Sequence, residues 1–236
     1  ARTETNNFYY NLSDSNRADL VALVAAVSGE PIDRIREYVY ELLEDSRLSE
    51  HIEASWRFDS SRRDSVVGFG RREGWYAFAR ALKPKVLVET GIHDGVGACV
   101  LLSALERNKQ EGFPGHYFGT DIDPVAGWLI PPHLEGFGTI LIGDSITSLK
   151  KFDGPIDLFI NDSDHSADYE AAEYETIQPL LSPNALILGD NSHASASLRA
   201  FSAHRRRPFL FFREVPEAHW YPGAGIGVSP AALPLS

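Results

Sequence analysis

Lys85-Val-Leu-Val-Glu89-Thr-Gly91-Ile-His-Asp-Gly95-Val-Gly97 is the stretch that decides the fold. Its first residues form a short apolar, β-branched run, which predicts a buried strand, and a helical pattern follows Gly95. In an open α/β sheet, ligands bind beyond the carboxyl ends of the strands, where small residues let a ligand approach the backbone and a helix N-terminus. Gly91 and Gly95 supply that room. A glycine loop can also serve only to make the turn, so this loop by itself leaves the function open.

The same texture continues along the chain, with short apolar runs alternating with helical stretches. This alternation predicts an α/β fold with a mostly parallel sheet and crossover helices. The predicted strands are residues 85–89, 117–121, 139–142, 156–161 and 185–189, and the predicted helices are 95–108, 124–130, 146–151, 168–181 and 195–204. Two closing strands, 209–213 and 225–228, flank Pro216 and Pro222, which favour a hairpin with an irregular loop over another crossover.

The N-terminal third has a different, helical pattern. After the capping candidates Ser13 and Asp14, apolar residues recur at three- and four-residue steps, with a break at Gly29 and Pro31. We expect a helical extension or lid over residues 1–73 and the main domain over residues 74–236. Such an extension could cover an active site, make a contact in a homodimer, or only pack against the main domain.

Composition excludes several classes of function. The formal net charge of -11 argues against sequence-independent binding of nucleic acid, because phosphate contacts need a concentration of lysine and arginine. A single cysteine, Cys99, rules out an internal disulfide framework. There is no apolar run long enough to span a membrane, and the first eleven residues lack the order of a signal peptide. We therefore expect a cytoplasmic protein with neither a nucleic-acid nor a membrane partner.

Polar residues stand at the tips of the second and third predicted strands. Asp121 ends the second strand, where a carboxylate can accept both ribose hydroxyls of a nucleoside. Asp123 lies just before Pro124 and suits a capping task better. Asp144 and Ser145 follow the third strand, where they could border an adenine ring. Successive tips with fitting chemistry favour a nucleoside site more strongly than the glycine loop alone.

The fourth and fifth strands end in a cluster of possible ligands. Ile156-Asp-Leu-Phe-Ile-Asn161-Asp162-Ser-Asp164-His165-Ser166 brings acids and an imidazole to a strand end, and the fifth strand adds Asp190 and Asn191. Oxygen ligands without sulfur suit Mg²⁺, Ca²⁺ or Mn²⁺. These residues could also cap the helices that follow, but there are more oxygen-bearing side chains here than two caps require.

These motifs together resemble the successive cofactor motifs of class I S-adenosylmethionine methyltransferases. The resemblance spans residues 74–191 and implies a Rossmann-like sheet, mostly parallel with an antiparallel last strand. It also implies that Gly91 and Gly95 pass close to the methionine part of the cofactor, with Glu89 fixing the loop. The other cofactor-binding residues that it implies are Asp121 at the ribose and Asp144 with Ser145 at the adenine. Catechol-type members have a serine where this chain has Gly97, so the carboxylate contact of that serine does not carry over.

The catalytic end is similar to the metal-dependent O-methyltransferases, such as the catechol and caffeoyl-coenzyme A enzymes. In these enzymes a strand-four aspartate and a strand-five Asp-Asn pair hold the divalent ion, and the matching positions are Asp162, Asp190 and Asn191. The relatives place a lysine where this chain has His165. The run from Asp162 to Ser166 resembles the Asp-x-Asp-His-Ser of macrolide-sugar and cephalosporin-tailoring methyltransferases, which implies a natural-product or sugar hydroxyl as acceptor.

This resemblance implies a reaction in which the protein mainly aligns and deprotonates the acceptor, because a sulfonium-bound methyl group is already electrophilic. A divalent ion, expected to be Mg²⁺, would lower the pKa of the acceptor hydroxyl. Asp162 and His165 are the predicted catalytic residues, since a histidine can take a proton near neutral pH. His165 could alternatively only support the helix that follows it, and methylation of nitrogen instead of oxygen stays open.

Three other classes of function fit the sequence less well. A haloacid-dehalogenase-type phosphatase would use Asp162-x-Asp164, but it also needs a later lysine, and every lysine lies at or before Lys151. A nicotinamide dehydrogenase prefers a tighter glycine loop. A non-catalytic scaffold with a methyltransferase fold remains an alternative, although it would have no need to retain the polar cluster.

Overall fold

The structure, a computed structural model, describes residues 9–56 and 67–234. The predicted N-terminal extension therefore includes two segments, residues 1–8 and 57–66, that lie outside the described residues. Among the helices that are described, none is both long and apolar enough to cross a lipid bilayer.

One mixed sheet forms the centre of the fold. Its strands in the described part of the chain are β1 (Val86–Thr90), β2 (His116–Asp121), β3 (Gly138–Ile142), β4 (Ile156–Asn161), β5 (Leu181–Asp190), β6 (Leu210–Arg213) and β7 (Gly225–Ser229). They are arranged in the order β3-β2-β1-β4-β5-β7-β6. The pairings from β1 to β5 are parallel, whereas β7 runs antiparallel to both β5 and β6. The predicted α/β class and its antiparallel closing hairpin are confirmed.

The parallel register brings the ends of several strands to one edge. Thr90 of β1 pairs with Thr120 of β2 on one side and with Asn161 of β4 on the other. Asn161 pairs in turn with Gly189 of β5. The residues that follow these four positions are those singled out in the sequence, so they share one edge of the sheet.

Helices cover both faces of the sheet. Those in the described residues are α1 (Asp14–Ser28), α2 (Ile32–Leu43), α3 (Ser46–Trp56), α4 (Arg72–Leu82), α5 (Val96–Gln110), α6 (Ser145–Leu149), α7 (Ala167–Ile177) and α8 (Ser197–His204). Successive strand residues point to opposite faces, so Leu158 and Ile160 join the buried cluster beneath α1 to α5. Phe159, between them, joins a second cluster beneath α7 and α8.

Helices α1 and α2 pack onto α4, which in turn packs against α5. The predicted break between the first helices lies at Gly29, which ends α1 in the left-handed region with φ of 77°. A further break, not expected from the pattern, separates α2 from α3, where the Asp45 carboxylate accepts a hydrogen bond from the Leu48 amide at 3.0 Å. The domain boundary predicted at residue 74 falls inside α4 and stays a prediction.

The helix predicted for residues 124–130 is wrong. Residues 124–129 form a series of turns instead. Gly127 adopts a φ of 78°, which a right-handed helix cannot contain, and Pro124 has no amide hydrogen to donate. The apolar spacing of this segment therefore reflects packing of a turn against the β1 loop.

Candidate active site

The loop after β1 lies directly against the end of β4. Gly91 has a φ of 80°, and its amide donates a hydrogen bond to the carbonyl of Thr120 at 2.8 Å. A Cβ atom at Gly91 would collide with the backbone carbonyl of Asp162. A glycine is therefore required for the predicted cofactor loop to approach the predicted catalytic loop this closely.

Glu89, predicted to fix the loop, is buried beneath the start of α5. Its carboxylate accepts a hydrogen bond from the Tyr117 hydroxyl at 2.5 Å. Burial raises the pKa of Glu89 to about 7. A Cβ atom at Gly97 would collide with Oε1 of Glu89, which explains why a glycine stands where catechol-type relatives have a serine.

Asp121 lies at the tip of β2, as predicted for a ribose ligand. Its carboxylate accepts hydrogen bonds from the amides of His93, at 2.7 Å, and Asp123, at 2.9 Å. Asp123 itself accepts from the amide of Val125 at 3.0 Å, so its side chain organises the turn. The β1 loop and the β2 tip are thus joined through Asp121. Its role towards ribose stays a prediction.

Asp144 and Ser145 take different positions at the tip of β3. Asp144 is exposed and caps α6 by accepting from the Thr147 amide at 2.7 Å, and it also accepts from the Tyr169 hydroxyl at 2.7 Å. These hydrogen bonds lower the pKa of Asp144. Ser145 is buried, and its hydroxyl contacts Tyr169 at 2.9 Å and donates to Glu173. Only Asp144 therefore faces outward at the predicted adenine position.

Glu173 is a buried carboxylate that accepts several hydrogen bonds and that was not predicted from the sequence. Besides Ser145, its carboxylate accepts hydrogen bonds from the side-chain amide of Asn161 and from the hydroxyl of Ser163, the latter at 2.7 Å. Burial raises its pKa. Because Asn161 ends β4 and Ser163 lies in the next loop, Glu173 fixes the backbone that presents Asp162.

The predicted catalytic residues come together at the ends of β4 and β5. Nε2 of His165 lies 3.0 Å from the side-chain amide nitrogen of Asn191 and 3.6 Å from Oδ1 of Asp162. Nδ1 of the same ring faces buried Glu170, 3.4 Å from Oε1. Ligand atoms of Asp162, His165 and Asp190 all lie within 4.8 Å of one another. Asn191 adopts a left-handed φ of 50°, which asparagine tolerates better than most residues and which turns the chain at the end of β5.

Asp190 makes a contact that the sequence did not predict. Its two carboxylate oxygens accept hydrogen bonds from Nε and Nη2 of Arg71, the second at 2.5 Å. Nη1 of Arg71 donates to Glu214 and to the Tyr10 hydroxyl, each at 3.0 Å. The four side chains are buried. They form the network that we call the Arg71 network: Tyr10, Arg71, Asp190 and Glu214.

The pKa values of the two acids of the predicted metal site are shifted in opposite directions. Burial would raise the pKa of Asp190, but the charge and hydrogen bonds of Arg71 outweigh it and lower that pKa to about 2. Burial and the neighbouring Asp190 carboxylate raise the pKa of Asp162 well above its usual range. Of the two carboxyl groups, Asp162 therefore binds a proton more readily than Asp190 does.

A cavity of about 470 Å³ lies along the connection between β5 and α8. It is lined by Ser192, His193, Ala194, Ser195, Ala196, Arg199 and Phe211. The lining starts at the residue that follows Asn191, and it includes the histidine after the Asp-Asn pair. This cavity provides room for a small molecule beside the ends of the strands.

Arg71 and Glu170 are the residues that sequence reasoning missed at the catalytic end. A signal for Arg71 was present, since Arg71 and Arg72 adjoin the N-terminus of a helix, where positive charge is unfavourable unless an acid compensates it. Nothing local marked Glu170, which lies one turn into α7 and looks like any helix carboxylate.

Comparisons with known proteins agree with the fold. Residues 88–192 match a family model described as a methyltransferase domain. No curated protein matches the chain.

Solved structures resemble the chain over most of its length. The SAH-bound methyltransferase PaMTH1 of Podospora anserina is 20% identical, with a TM-score of 0.56, and the match covers 84% of this chain and 93% of that one. The O-methyltransferase TomG of Streptomyces achromogenes, in complex with SAM, is 15% identical, with a TM-score of 0.59 and coverage of 79% and 90%. An O-methyltransferase of Bacillus cereus in complex with SAH is 16% identical, with a TM-score of 0.59 and coverage of 82% and 95%. The chain therefore has the fold of class I methyltransferases, and residues 88–192 within it are similar to a methyltransferase domain.

Proposed function

We propose that the protein transfers the methyl group of S-adenosylmethionine to a hydroxyl group of a small molecule, a natural product or a sugar. The observation that carries the proposal is the position of His165. Its imidazole lies between Asn191, Asp162 and Glu170, in the loop against which Gly91 packs. A base beside the cofactor loop is what alkylation of a hydroxyl requires.

The proton transfer follows from the surroundings of the imidazole. With a proton on Nδ1, facing Glu170, Nε2 is left as the acceptor on the side of Asn191 and Asp162. Nε2 then exchanges its hydrogen bond with the side-chain amide of Asn191 for one with the acceptor hydroxyl and takes the hydroxyl proton. The oxygen attacks the methyl carbon while the carbon–sulfur bond breaks, and S-adenosylhomocysteine leaves. Glu170 stabilises the resulting imidazolium, as the carboxylate partner of a catalytic histidine does in other enzymes. Asp162 faces the same nitrogen and is proposed to hold the acceptor hydroxyl there.

The cofactor is proposed to lie along the edge formed by the tips of β1, β2 and β3. The Gly91 and Gly95 loop would hold the methionine part, with Glu89 beneath it. Asp121 would accept from the ribose hydroxyls, and Asp144 with Ser145 would border the adenine, where Asp144 is the exposed partner. Structural relatives bound to SAM and SAH support the choice of cofactor.

The divalent ion predicted from the sequence does not fit the residues as they stand. Asp162, Asp190 and Asn191 offer the oxygen donors that Mg²⁺ prefers. However, both oxygens of Asp190 already bind the guanidinium of Arg71. No step of the proposed reaction is therefore routed through a metal.

The acceptor is proposed to enter from the side of the β5–α8 cavity. Its volume of about 470 Å³ suits a molecule of sugar or small natural-product size. Phe211 offers an apolar surface for a ring, and Arg199 offers a cation for a polar or acidic substituent. These side chains support a small-molecule acceptor and not a nucleic acid, given the net charge of -11.

The proposal is tested with His165→Ala and a matched control, His204→Ala, at an exposed position near the end of α8. Formation of S-adenosylhomocysteine is followed with a panel of sugars and hydroxylated aromatic compounds. We expect His165→Ala to lower kcat by about 10²- to 10⁴-fold, the usual contribution of a general base. The Kd for S-adenosylhomocysteine, measured by calorimetry, should stay within about threefold of wild type, since a contact is lost only at the acceptor side.

Two outcomes would contradict the assignment. If His165→Ala loses cofactor binding and turnover to the same extent, His165 supports the loop and does not act as the base. If the wild-type protein binds neither S-adenosylmethionine nor its demethylated product, the methyl-transfer proposal as a whole fails and the scaffold alternative is favoured.

A further inference from the structure

We infer that the guanidinium group of Arg71 is the resident cation of the polar cluster formed by Asp162, Asp190 and Asn191. In the O-methyltransferases that the sequence resembles, the matching positions hold a divalent ion. Under the function proposed above, methyl transfer by this protein then proceeds without a bound metal. The inference itself concerns which cation the cluster holds and can be tested without turnover.

The hydrogen bonds of Arg71 occupy the acid that a metal would need most. Nε and Nη2 bind the two oxygens of Asp190 in the parallel, two-pronged arrangement that guanidinium and carboxylate groups favour. Mg²⁺ demands near-ideal octahedral geometry with oxygens at about 2.0–2.1 Å. An ion could reach Asp190 that closely only if the arginine fork released at least one oxygen.

Arg71 is held on its other side as well, so it cannot simply swing away. Nη1 donates to Glu214 and Tyr10, and the backbone amide of Arg71 donates to Oε2 of Glu214 at 3.2 Å. Glu214 is fixed in turn by the Tyr10 hydroxyl at 2.8 Å and by the amide of Ala224 at 2.6 Å. Moving the guanidinium would leave Asp190 and Glu214 buried without their shared counter-ion, which is strongly unfavourable.

The positive charge of Arg71 also opposes a divalent ion at Asp190. Arg71 places one positive charge between the buried carboxylates of Asp190 and Glu214. A divalent ion at Asp190 would sit next to this guanidinium in surroundings of low dielectric constant, where repulsion is strong. An arginine side chain stays protonated under all working conditions, so its charge is present without any supply of metal.

The direct test is Mn²⁺ binding to the purified full-length protein, followed by electron paramagnetic resonance in the presence of S-adenosylhomocysteine. We expect wild type to take up less than about 0.1 Mn²⁺ per chain at 100 µM free Mn²⁺, and dialysis against EDTA to leave turnover within about twofold. Arg71→Gln should gain Mn²⁺ binding by at least about tenfold, because the oxygens of Asp190 become available. Arg205→Gln, which breaks a surface ion pair with Glu175, is the matched control and should change neither property.

The inference is overturned if wild type binds one Mn²⁺ per chain with a Kd of 100 µM or below and Asp190→Asn abolishes that binding. This experiment needs no Arg71 variant, so it decides the matter even if Arg71→Gln does not fold. A folded Arg71→Gln that gains no Mn²⁺ would likewise count against Arg71 as the group that excludes the ion. Failure of the proposed methyl transfer would show instead as loss of cofactor binding or turnover, which are measured separately.

Discussion

Replacing Glu89 with glutamine is expected to make the protein more stable at alkaline pH and to leave its stability at pH 4.5 nearly unchanged. Glu89 lies in β1 beneath Gly97 of α5, and this burial raises its pKa from the ordinary 4.5 to about 7. Between these two values, the folded protein binds a proton that the unfolded chain has released. The contribution of Glu89 to stability is therefore full below pH 4.5 and is lost as the pH rises through 7.

The size of the effect follows from the same shift. Each pKa unit corresponds to about 1.4 kcal/mol, so the rise corresponds to about 3 kcal/mol at pH 8, as an order of magnitude. Glutamine has nearly the same shape and carries no charge. Its amide oxygen can still accept the hydrogen bond from Tyr117, which the wild-type carboxylate accepts at 2.5 Å. The variant therefore avoids the cost of a buried charge without losing this contact.

The assay is urea unfolding of the cofactor-free protein at pH 5, 6, 7 and 8. The free energy of unfolding of Glu89→Gln, minus that of wild type, should rise with pH and level off above pH 7. Glu50→Gln removes an exposed carboxylate from α3 and is the control, for which we expect a difference near zero throughout. A difference for Glu89→Gln that is flat with pH would refute the reasoning, because Glu89 would then titrate alike in the folded and unfolded states.

Two further predictions concern Gly91 of the loop after β1 and Gly97 in the first turn of α5. Gly136→Ala is their common control, because no heavy atom lies within 4 Å of a Cβ built there. Gly97→Ser should lower the free energy of unfolding by about 1–3 kcal/mol, the usual cost of overpacking a core, because the new Cβ collides with Glu89. A melting temperature equal to that of wild type would contradict this. Gly91→Ala should weaken S-adenosylhomocysteine binding at least about tenfold in calorimetry, because the φ of 80° and the carbonyl of Asp162 both exclude a side chain. Unchanged affinity would show that the loop does not contact the cofactor.

Most of the sheet could be predicted because its signals are local. Buried β-branched runs, the glycines after β1 and the polar residues at strand tips are each visible within about ten residues of sequence. Parallel sheets place those tips on one edge, so the sequence alone predicts that Asp121, Asp162 and Asp190 lie along the same edge. The segment 124–130 failed for an equally local reason, since its apolar spacing fits a helix while Gly127 and Pro124 require turns.

The contacts around the acids could not be predicted, because they join residues that are far apart in the sequence. Arg71 meets Asp190 across 119 positions and Glu214 across 143. Ser145 was predicted at the adenine, yet its hydroxyl is engaged by Glu173 of α7. A motif identifies which residue stands at a strand tip, but the charge that compensates it comes from another element. For that reason the sequence could predict the strand-tip acids of the candidate site but not the contact that Arg71 makes with Asp190.

The position of Arg71 also bears on what the N-terminal part of the chain does. Positive charge at a helix N-terminus opposes the helix dipole, so Arg71 before α4 and Arg72 at its first position are costly unless acids compensate them. Asp190 and Glu214 supply that compensation, and Tyr10 completes it from near the start of the described chain. Tyr10 and Arg71 both precede residue 74, so the predicted extension contributes side chains to the predicted catalytic end of the sheet and does not only cover it. A chain that began at residue 74 would keep the strand tips but would leave Asp190 and Glu214 buried without a counter-ion, and the acceptor side of the site would be the first part to lose its geometry.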